Sequence, residues 1–483
     1  MISIFVVARL ATWFYPFDSD HWIFWYIGKK IVDGGLPYIS AWDHKPPLIF
    51  YFNALMHFLF GGNLALHRIF LTLLTILDIY LFWKLALTFS NKINKEKAHI
   101  LAKMGLVFYV FFRNLSQFTS SGNNTENFGL IFLILTFLLF FEYQEKRKLW
   151  LLFASGICLS FLFFLKGNFL ILALPIFVEI LIENYKNIKN LLLKLGVFIL
   201  PLILHSLFWI FYFKLKGIFR DFLIGSFLFN SEYVKAAWRG RVSANRLFFV
   251  WIQLSLFIPL FPFLVNLFKE YKKVFKDKIY RFLFFSLFGS IFFILGTGSF
   301  YSYYSLILMP FFSLLLIYNY EILLSWRNKK ALALTLLLLL GAIFSWVISM
   351  KQFYNYFCGD VKADFEEKKR IAQYIKENSS PKDKIEAYDY GAVFYRLAQR
   401  DSGSRFISAS VLLLDEREKF GFDFTSIFIS ELEKSKPKFF IILKEESQLY
   451  YQNKRVIDYM NSFYKISREF DNFLVLERRG EYI

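Results

Sequence analysis

Through its first 350 residues the chain is a succession of apolar runs long enough to cross a bilayer, and that alone removes most folds from consideration. Eleven runs qualify: 1–16, 65–89, 99–115, 127–142, 149–165, 169–182, 195–215, 247–268, 281–297, 301–320 and 331–350. Inside hydrocarbon the backbone must satisfy its own hydrogen bonds, so each run is expected as a helix. Composition agrees, because 57% hydrophobic and 22% aromatic content over 483 residues exceeds what a soluble domain carries. The first run lacks a charged leader and a small-residue cleavage site, and it is read as a retained span.

The connectors orient these runs. Lysine and arginine concentrate in "NKINKEK" (91–97), "QEKRK" (144–148), "KNIKNLLLK" (186–194), "KEYKKVFKDKIYR" (269–281) and "RNKK" (327–330). Every second connector is basic, as the positive-inside rule requires. The formal charge of +19 is therefore read as topology. No nucleic-acid partner is expected, since a footprint for a polyanion would gather on one soluble face. The run at 46–60 would reverse every later loop if it crossed; at this length it suits a helix in the interface plane, inside one outward loop from 17 to 64. "SGNNTENF" (121–128), "KGN" (166–168), 216–246 and "GTGSFYSYY" (296–304) fall on the same side.

From residue 351 onward charges are dense and no run could span. "KIEAYDYGAVFYRLA", "SRFISAS", "ISELEKSKPKFFIILK" and "FLVLERR" read as short strands alternating with amphipathic helices. Two domains are expected: a transmembrane domain over 1–350 and a small extracytoplasmic α/β domain over 351–483. The two cysteines, Cys158 and Cys358, offer no disulfide framework and no cysteine zinc site.

The ionisable residues of the outward loops are the candidates for chemistry. Asp18, Asp20, Asp43 and Lys45 fall at the depth of a lipid phosphate, where a carboxylate can act as a general base and a lysine can hold a phosphate. Solvated loop residues are the plainer reading. In "DHKPPL" the two prolines restrict Lys45 to extended backbone and are suited to opening the next helix. "GGLPY" (34–38) reads as a helix C-cap and turn. Glu126 could pair with a donor hydroxyl or a cation, or serve the helix N-terminus, which taken alone is the better reading. Lys166, between two apolar runs, is expected to find a phosphate or carboxylate partner. Arg68 reads as an interface anchor. His21, His44, His57 and His67 match no zinc spacing, so no metal is expected, and no cofactor is called for.

As an ensemble, "DHWIFWYIGKKIVDGGLPYISAWDHKPPLIFYFNAL" resembles the first external loop of polytopic GT-C glycosyltransferases of the family 39 type, such as bacterial aminoarabinose transferases and protein O-mannosyltransferases. Arg68 in "LALHRIF", Lys166-Gly167 in "FLKGNFLILALP", and "FYSYYSLILMPFFSLLL", which holds Tyr304, extend the likeness over most of residues 15–350. The resemblance implies a GT-C fold of about 11 transmembrane helices, juxtamembrane helices and the C-terminal domain. It also implies transfer of a sugar from a polyprenyl-phosphate donor to an acceptor lipid, glycan or protein at the outer face of the plasma membrane. Asp20 matches the family's loop acid best, with Asp18 second; Lys45 takes the donor phosphate with Lys166 as helper; Asp43, His44, Glu126 and Tyr304 line the substrate. The family often has an acid just before the lysine, where this chain has His44 with Asp43 one residue back. An O-antigen-type ligase or polymerase is the nearest alternative. A lipid or sugar transporter would call for inverted repeats, and none is visible.

Overall fold

The structure, a computed structural model, describes residues 1–14, 17–238, 258, 260–320, 329–388, 391–408, 412, 422–444 and 453–480. Its contacts divide the chain into two compact units. One is Met1–Tyr15, Ala65–Leu215 and Ala237–Tyr354; the other is Pro16–Leu64, Lys216–Ala236 and Asn355–Ile483.

The first unit is helical. In chain order, with the helices of the second unit counted in sequence, α1 is Ile2–Phe14, α2 Ser19–Val32, α3 Leu48–Phe60, α4 Leu64–Ile93, α5 Ala98–Asn114, α6 Ser116–Thr119, α7 Thr125–Lys146 and α8 Leu149–Leu165. A 3-10 turn at Gly167–Ala173 leads into α9, Leu174–Asn184, and then α10, Ile188–Leu215. Next come α11 Phe219–Leu223, α12 Phe229–Trp238, α13 Leu260–Lys269, α14 Lys278–Thr297 and α15 Met309–Tyr318, followed by a helix at Lys329–Cys358. Among the described residues six helical segments are long and apolar enough to cross a membrane: Leu64–Ile93, Thr125–Lys146, Gly167–Asn184, Ile188–Leu215, Lys278–Thr297 and Leu332–Glu377. Shorter apolar helices join them, including Ile2–Phe14, Leu149–Leu165 and Ser302–Tyr318. Ten of the eleven expected runs coincide with these helices; the run at 247–268 falls largely on residues 247–257 and 259, outside the described residues, and ends in α13. The chain is a multi-span membrane protein.

Packing in this unit relies on small residues and on buried ion pairs. A Cβ on Gly156 of α8 would stand 2.2 Å from the Phe198 carbonyl oxygen of α10, so only glycine permits that approach. Asp78, inside α4, receives Arg113 of α5 at 2.8 Å and the Tyr109 hydroxyl at 3.1 Å, while Arg9 of α1 donates to Asn114 at 3.1 Å. Charges this deep persist only because each finds a partner.

The second unit builds a floor for the first loop. α2 and α3 pack face to face, and a Cβ on Gly28 would fall 2.6 Å from the Asn53 carbonyl carbon. The 13 residues of α3 rise about 20 Å, short of a bilayer core of roughly 30 Å. The C-terminal part forms a four-stranded sheet in the order β1-β2-β4-β3, where β1 is Ile385–Ala387, β2 Phe439–Leu443, β3 Tyr464–Glu469 and β4 Phe473–Arg478. β1 runs parallel to β2, and the other two pairs are antiparallel. Helices Asp360–Glu377, Ala392–Ala398, Phe424–Ser435 and Lys454–Phe463 accompany it. "KIEAYDYGAVFYRLA" holds β1 and the helix Ala392–Ala398, in keeping with the expected alternation, whereas "SRFISAS" forms no strand within its described residues 404–408. "YKISRE" was not expected as a strand, yet it pairs with β4; its outward face is polar, which hides the alternation.

Glu386 lies in the middle of β1, fully buried, accepting from the Ser404 N–H at 2.8 Å and the Tyr395 hydroxyl at 3.2 Å. Burial pushes its carboxyl up from 4.5 to about 8, and these hydrogen bonds only partly offset it. Between those values the unfolded chain gives up the proton while the folded chain keeps it. Stability from this group is therefore complete below pH 4.5 and lost as pH rises through 8. Glu386→Gln is expected to flatten that decline when thermal unfolding of the purified protein is followed from pH 4.5 to 8.

Candidate functional site

The candidate residues fall into two groups, one in each unit. In the second unit, α2 opens at Asp18, whose side chain accepts the His21 N–H at 2.8 Å and so caps the helix. Asp20 follows in the first turn, partly exposed. One turn on, at the i+4 position and hence on the same face, is Phe24, whose ring centre is 6.0 Å from the Lys45 ammonium. The face of α2 that carries Asp20 is thus the face that meets Lys45.

Lys45 itself is held from several directions. Pro47 precedes the first residue of α3, as the double proline suggested. The Lys45 carbonyl accepts from the Tyr38 hydroxyl at 2.9 Å, and that oxygen is also 2.8 Å from Ser226 Oγ. Asn230 donates to the His44 carbonyl at 2.9 Å, and the His44 ring stacks on Tyr233 with centroids 4.5 Å apart. Tyr38 adopts a left-handed backbone (φ 70°), unusual for a bulky side chain, and is completely buried. Burial pushes its phenol well above its ordinary value, so it stays a neutral donor.

Asp43, His44 and Lys45 form a short chain of charge. Lys45 Nζ is 3.0 Å from His44 Nε2; an ammonium can only donate, so Nε2 accepts and the neutral ring carries its proton on Nδ1. That Nδ1 lies 3.4 Å from Asp43 Oδ1, and Asp43 Oδ2 lies 3.9 Å from Lys45 Nζ. Asp43 is only 5% exposed; burial alone would raise its carboxyl, but the charge of Lys45 and the contact with His44 hold it well below the usual carboxylate range. The residue arrangement that departs from the family pattern in sequence still delivers a carboxylate to the lysine, from one position further back.

In the first unit the break after α8 presents Lys166, whose ammonium is 2.7 Å from Glu126 Oε1 and 3.8 Å from the centre of the Tyr304 ring. Glu126 is fully buried and also accepts from Thr125 Oγ1 at 2.9 Å. The cap of α7 is Asn124, which accepts the Asn127 N–H at 3.0 Å, so Glu126 is free of the capping duty that its position suggested and serves as the counterion of Lys166. Arg68 donates to the carbonyls of Thr12 and Trp13 at 2.9 and 2.6 Å. Among the described residues no group of three His, Cys, Asp or Glu side chains is placed to hold a metal ion. The sequence reading missed Tyr38, Ser226 and Asn230, which aim Lys45 without carrying charge, and the Asp78–Arg113 pair, which a lone acid and a lone base in neighbouring spans could have signalled.

The fold defines a class, polytopic helical membrane proteins with an ArnT-like architecture and a small C-terminal sheet. The structure matches a crystal structure of ArnT from Cupriavidus metallidurans in the apo state with a TM-score of 0.62, at 11% sequence identity, over 98% of this chain and 97% of that one. ArnT from the same organism bound to undecaprenyl phosphate matches with a TM-score of 0.53, at 11% identity, over 99% and 98%. By sequence, residues 44–210 match the family described as dolichyl-phosphate-mannose-protein mannosyltransferase, and residues 365–476 match the Ccs4 C-terminal domain. No curated protein gives a significant sequence match.

Tyr38→Phe would remove the buried hydrogen bonds to the Lys45 carbonyl and with Ser226 Oγ, and it is expected to cost about 1–3 kcal/mol. A fall in the unfolding midpoint of the purified protein, absent in Tyr354→Phe at an exposed position, is the measurement.

Proposed function

We propose that the protein is an integral membrane glycosyltransferase that moves a sugar from a polyprenyl-phosphate donor to an acceptor hydroxyl at the outer face of the plasma membrane. The observation that carries this reading is the Lys45 ammonium, fixed by its backbone partners and by Asp43 and His44, beneath the face of α2 that bears Asp20. The match of residues 44–210 to the dolichyl-phosphate-mannose-protein mannosyltransferase family and the likeness to an ArnT bound to undecaprenyl phosphate support it.

In this reaction the bond between the anomeric carbon and the phosphate oxygen breaks, and polyprenyl phosphate leaves with the electron pair. Lys45 offsets the charge that gathers on the phosphate. Asp20 takes the proton of the acceptor hydroxyl, whose oxygen forms the new bond from the opposite side, inverting the anomeric centre. Asp43 and His44 orient Lys45. Asp18 orders the start of α2, and any direct part it plays is secondary to Asp20. Because Glu126 holds Lys166 at 2.7 Å while Asp43 stands off Lys45 at 3.9 Å, we assign the donor phosphate to Lys45 first and treat Lys166, Glu126 and Tyr304 as an auxiliary substrate cluster.

Two variants separate the roles in a purified assay with a lipid-linked sugar. Asp20→Asn is expected to lower kcat by about 10²–10⁴-fold with donor affinity intact. Lys45→Met is expected to weaken donor binding by about 1.5–3 kcal/mol. Unchanged turnover in the first and unchanged affinity in the second would remove the proposal.

The side of the membrane follows from the basic connectors, which leave 17–64 and 351–483 outside. Cys358 is exposed and Cys158 buried, so the native thiols suffice as a test. A membrane-impermeant maleimide is expected to label Cys358 in spheroplasts or intact cells, and labelling only after lysis would invert the topology.

A further inference from the structure

The unit that carries Lys45 also contains a cleft of about 480 Å³ that the transfer chemistry leaves unused. Its floor is aromatic and rigid. Trp25 (3% exposed), Tyr26, His57 and Tyr395 are all buried; His57 Nε2 is 2.9 Å from the Trp25 carbonyl, and the Tyr26 hydroxyl accepts the Ser402 N–H at 2.9 Å. Its rim is polar, with Lys29, Asp33, Gln399 and Asp401. Volume and mixed character suit a small polar ligand, since such sites span roughly 300–1,000 Å³.

The charges around the cleft do not cancel. Lys29 is bound by Asp33 at 2.6 Å and Lys30 by Asp401 at 2.8 Å. Arg400 is consumed by Ser379 and by nearby backbone carbonyls. Arg396 is different: its guanidinium lies over the Trp25 ring at 5.4 Å and, among the described residues, makes no hydrogen bond or ion pair, so its outer N–H groups are left for a ligand even though Nε is buried. A planar cation laid on an indole, with a donor unused, is a preformed seat for an anion. The carboxylates and the amide of the rim supply acceptors and a donor for hydroxyl groups.

We propose that this cleft binds a saccharide carrying a carboxylate or phosphate group, with the anion on Arg396 and sugar hydroxyls on Asp33, Gln399 and Asp401. The choice of a sugar over other polar anions rests on the glycosyltransferase reading, and it makes the cleft a holding site for an acidic acceptor glycan.

Isothermal titration of the full-length protein in detergent tests it with three probes: a disaccharide ending in glucuronic acid, a disaccharide phosphate, and the neutral glucose disaccharide. The acidic probes are expected to bind, and the neutral one about tenfold more weakly or not at all. Arg396→Gln is expected to erase the preference, and Arg396→Lys to keep part of it. Val32→Trp, at an exposed rim position on α2, is expected to block all three without touching Arg396. Asp20→Asn and Lys45→Met are expected to leave these affinities unchanged, so a failure of the transfer reading shows in the transfer assay and a failure of the cleft shows here. Equal binding of acidic and neutral sugars, a preference that survives Arg396→Gln, no binding at all, or equal binding of an acidic peptide would each overturn the assignment.

Discussion

One hydroxyl group ties the candidate site together. Tyr38 Oη lies between the Lys45 carbonyl and Ser226 Oγ, so a residue of the first loop, the lysine seven positions on and a helix 188 residues further along share a single buried junction. Gly225, next to Ser226, leaves no room for a Cβ against the Tyr38 ring (2.5 Å), which shows how closely the segment is pressed onto it. A flexible lysine at a membrane surface would spend its time in water; this one is anchored at its backbone and directed at its tip. The position of the ammonium, the proton on His44 Nδ1 and the ionised state of Asp43 all follow from that anchorage.

The same economy of charge governs the membrane-spanning unit. Lys166 with Glu126, Arg113 with Asp78 and Arg281 with Glu179 are each matched at hydrogen-bond distance. Removing either member of such a pair leaves an uncompensated ion, typically costing about 3–5 kcal/mol. These pairs fasten segments to one another, and Lys166 does so from the break between α8 and the 3-10 turn.

The helical architecture was legible because hydrocarbon imposes one solution on any long apolar run, and the placement of basic connectors then orders the loops. The place of Lys45 just ahead of α3 was legible because two prolines follow it. Its supporting residues were not, because Tyr38, Ser226 and Asn230 are unremarkable types whose roles depend on tertiary proximity. Glu126 shows the limit of local reasoning: a first-turn acid reads as a cap, yet Asn124 does the capping and the acid answers a lysine forty residues away. In the C-terminal sheet, the three-residue β1 and the polar β3 carry too weak a period-two signal to be placed from sequence.

The unit holding Lys45 is assembled from the beginning, the middle and the end of the chain. Tyr26 accepts the N–H of Ser402, and the Trp42 N–H donates to the Arg405 carbonyl at 2.7 Å. During synthesis the first loop is made long before residues 355–483 exist, so its apolar underside must wait for a surface that has not been made. The order of translation therefore obliges this protein to mature late: the loop gains its final form only when the last hundred or so residues have followed it, and a ribosome that stops early leaves behind a membrane anchor with no organised site.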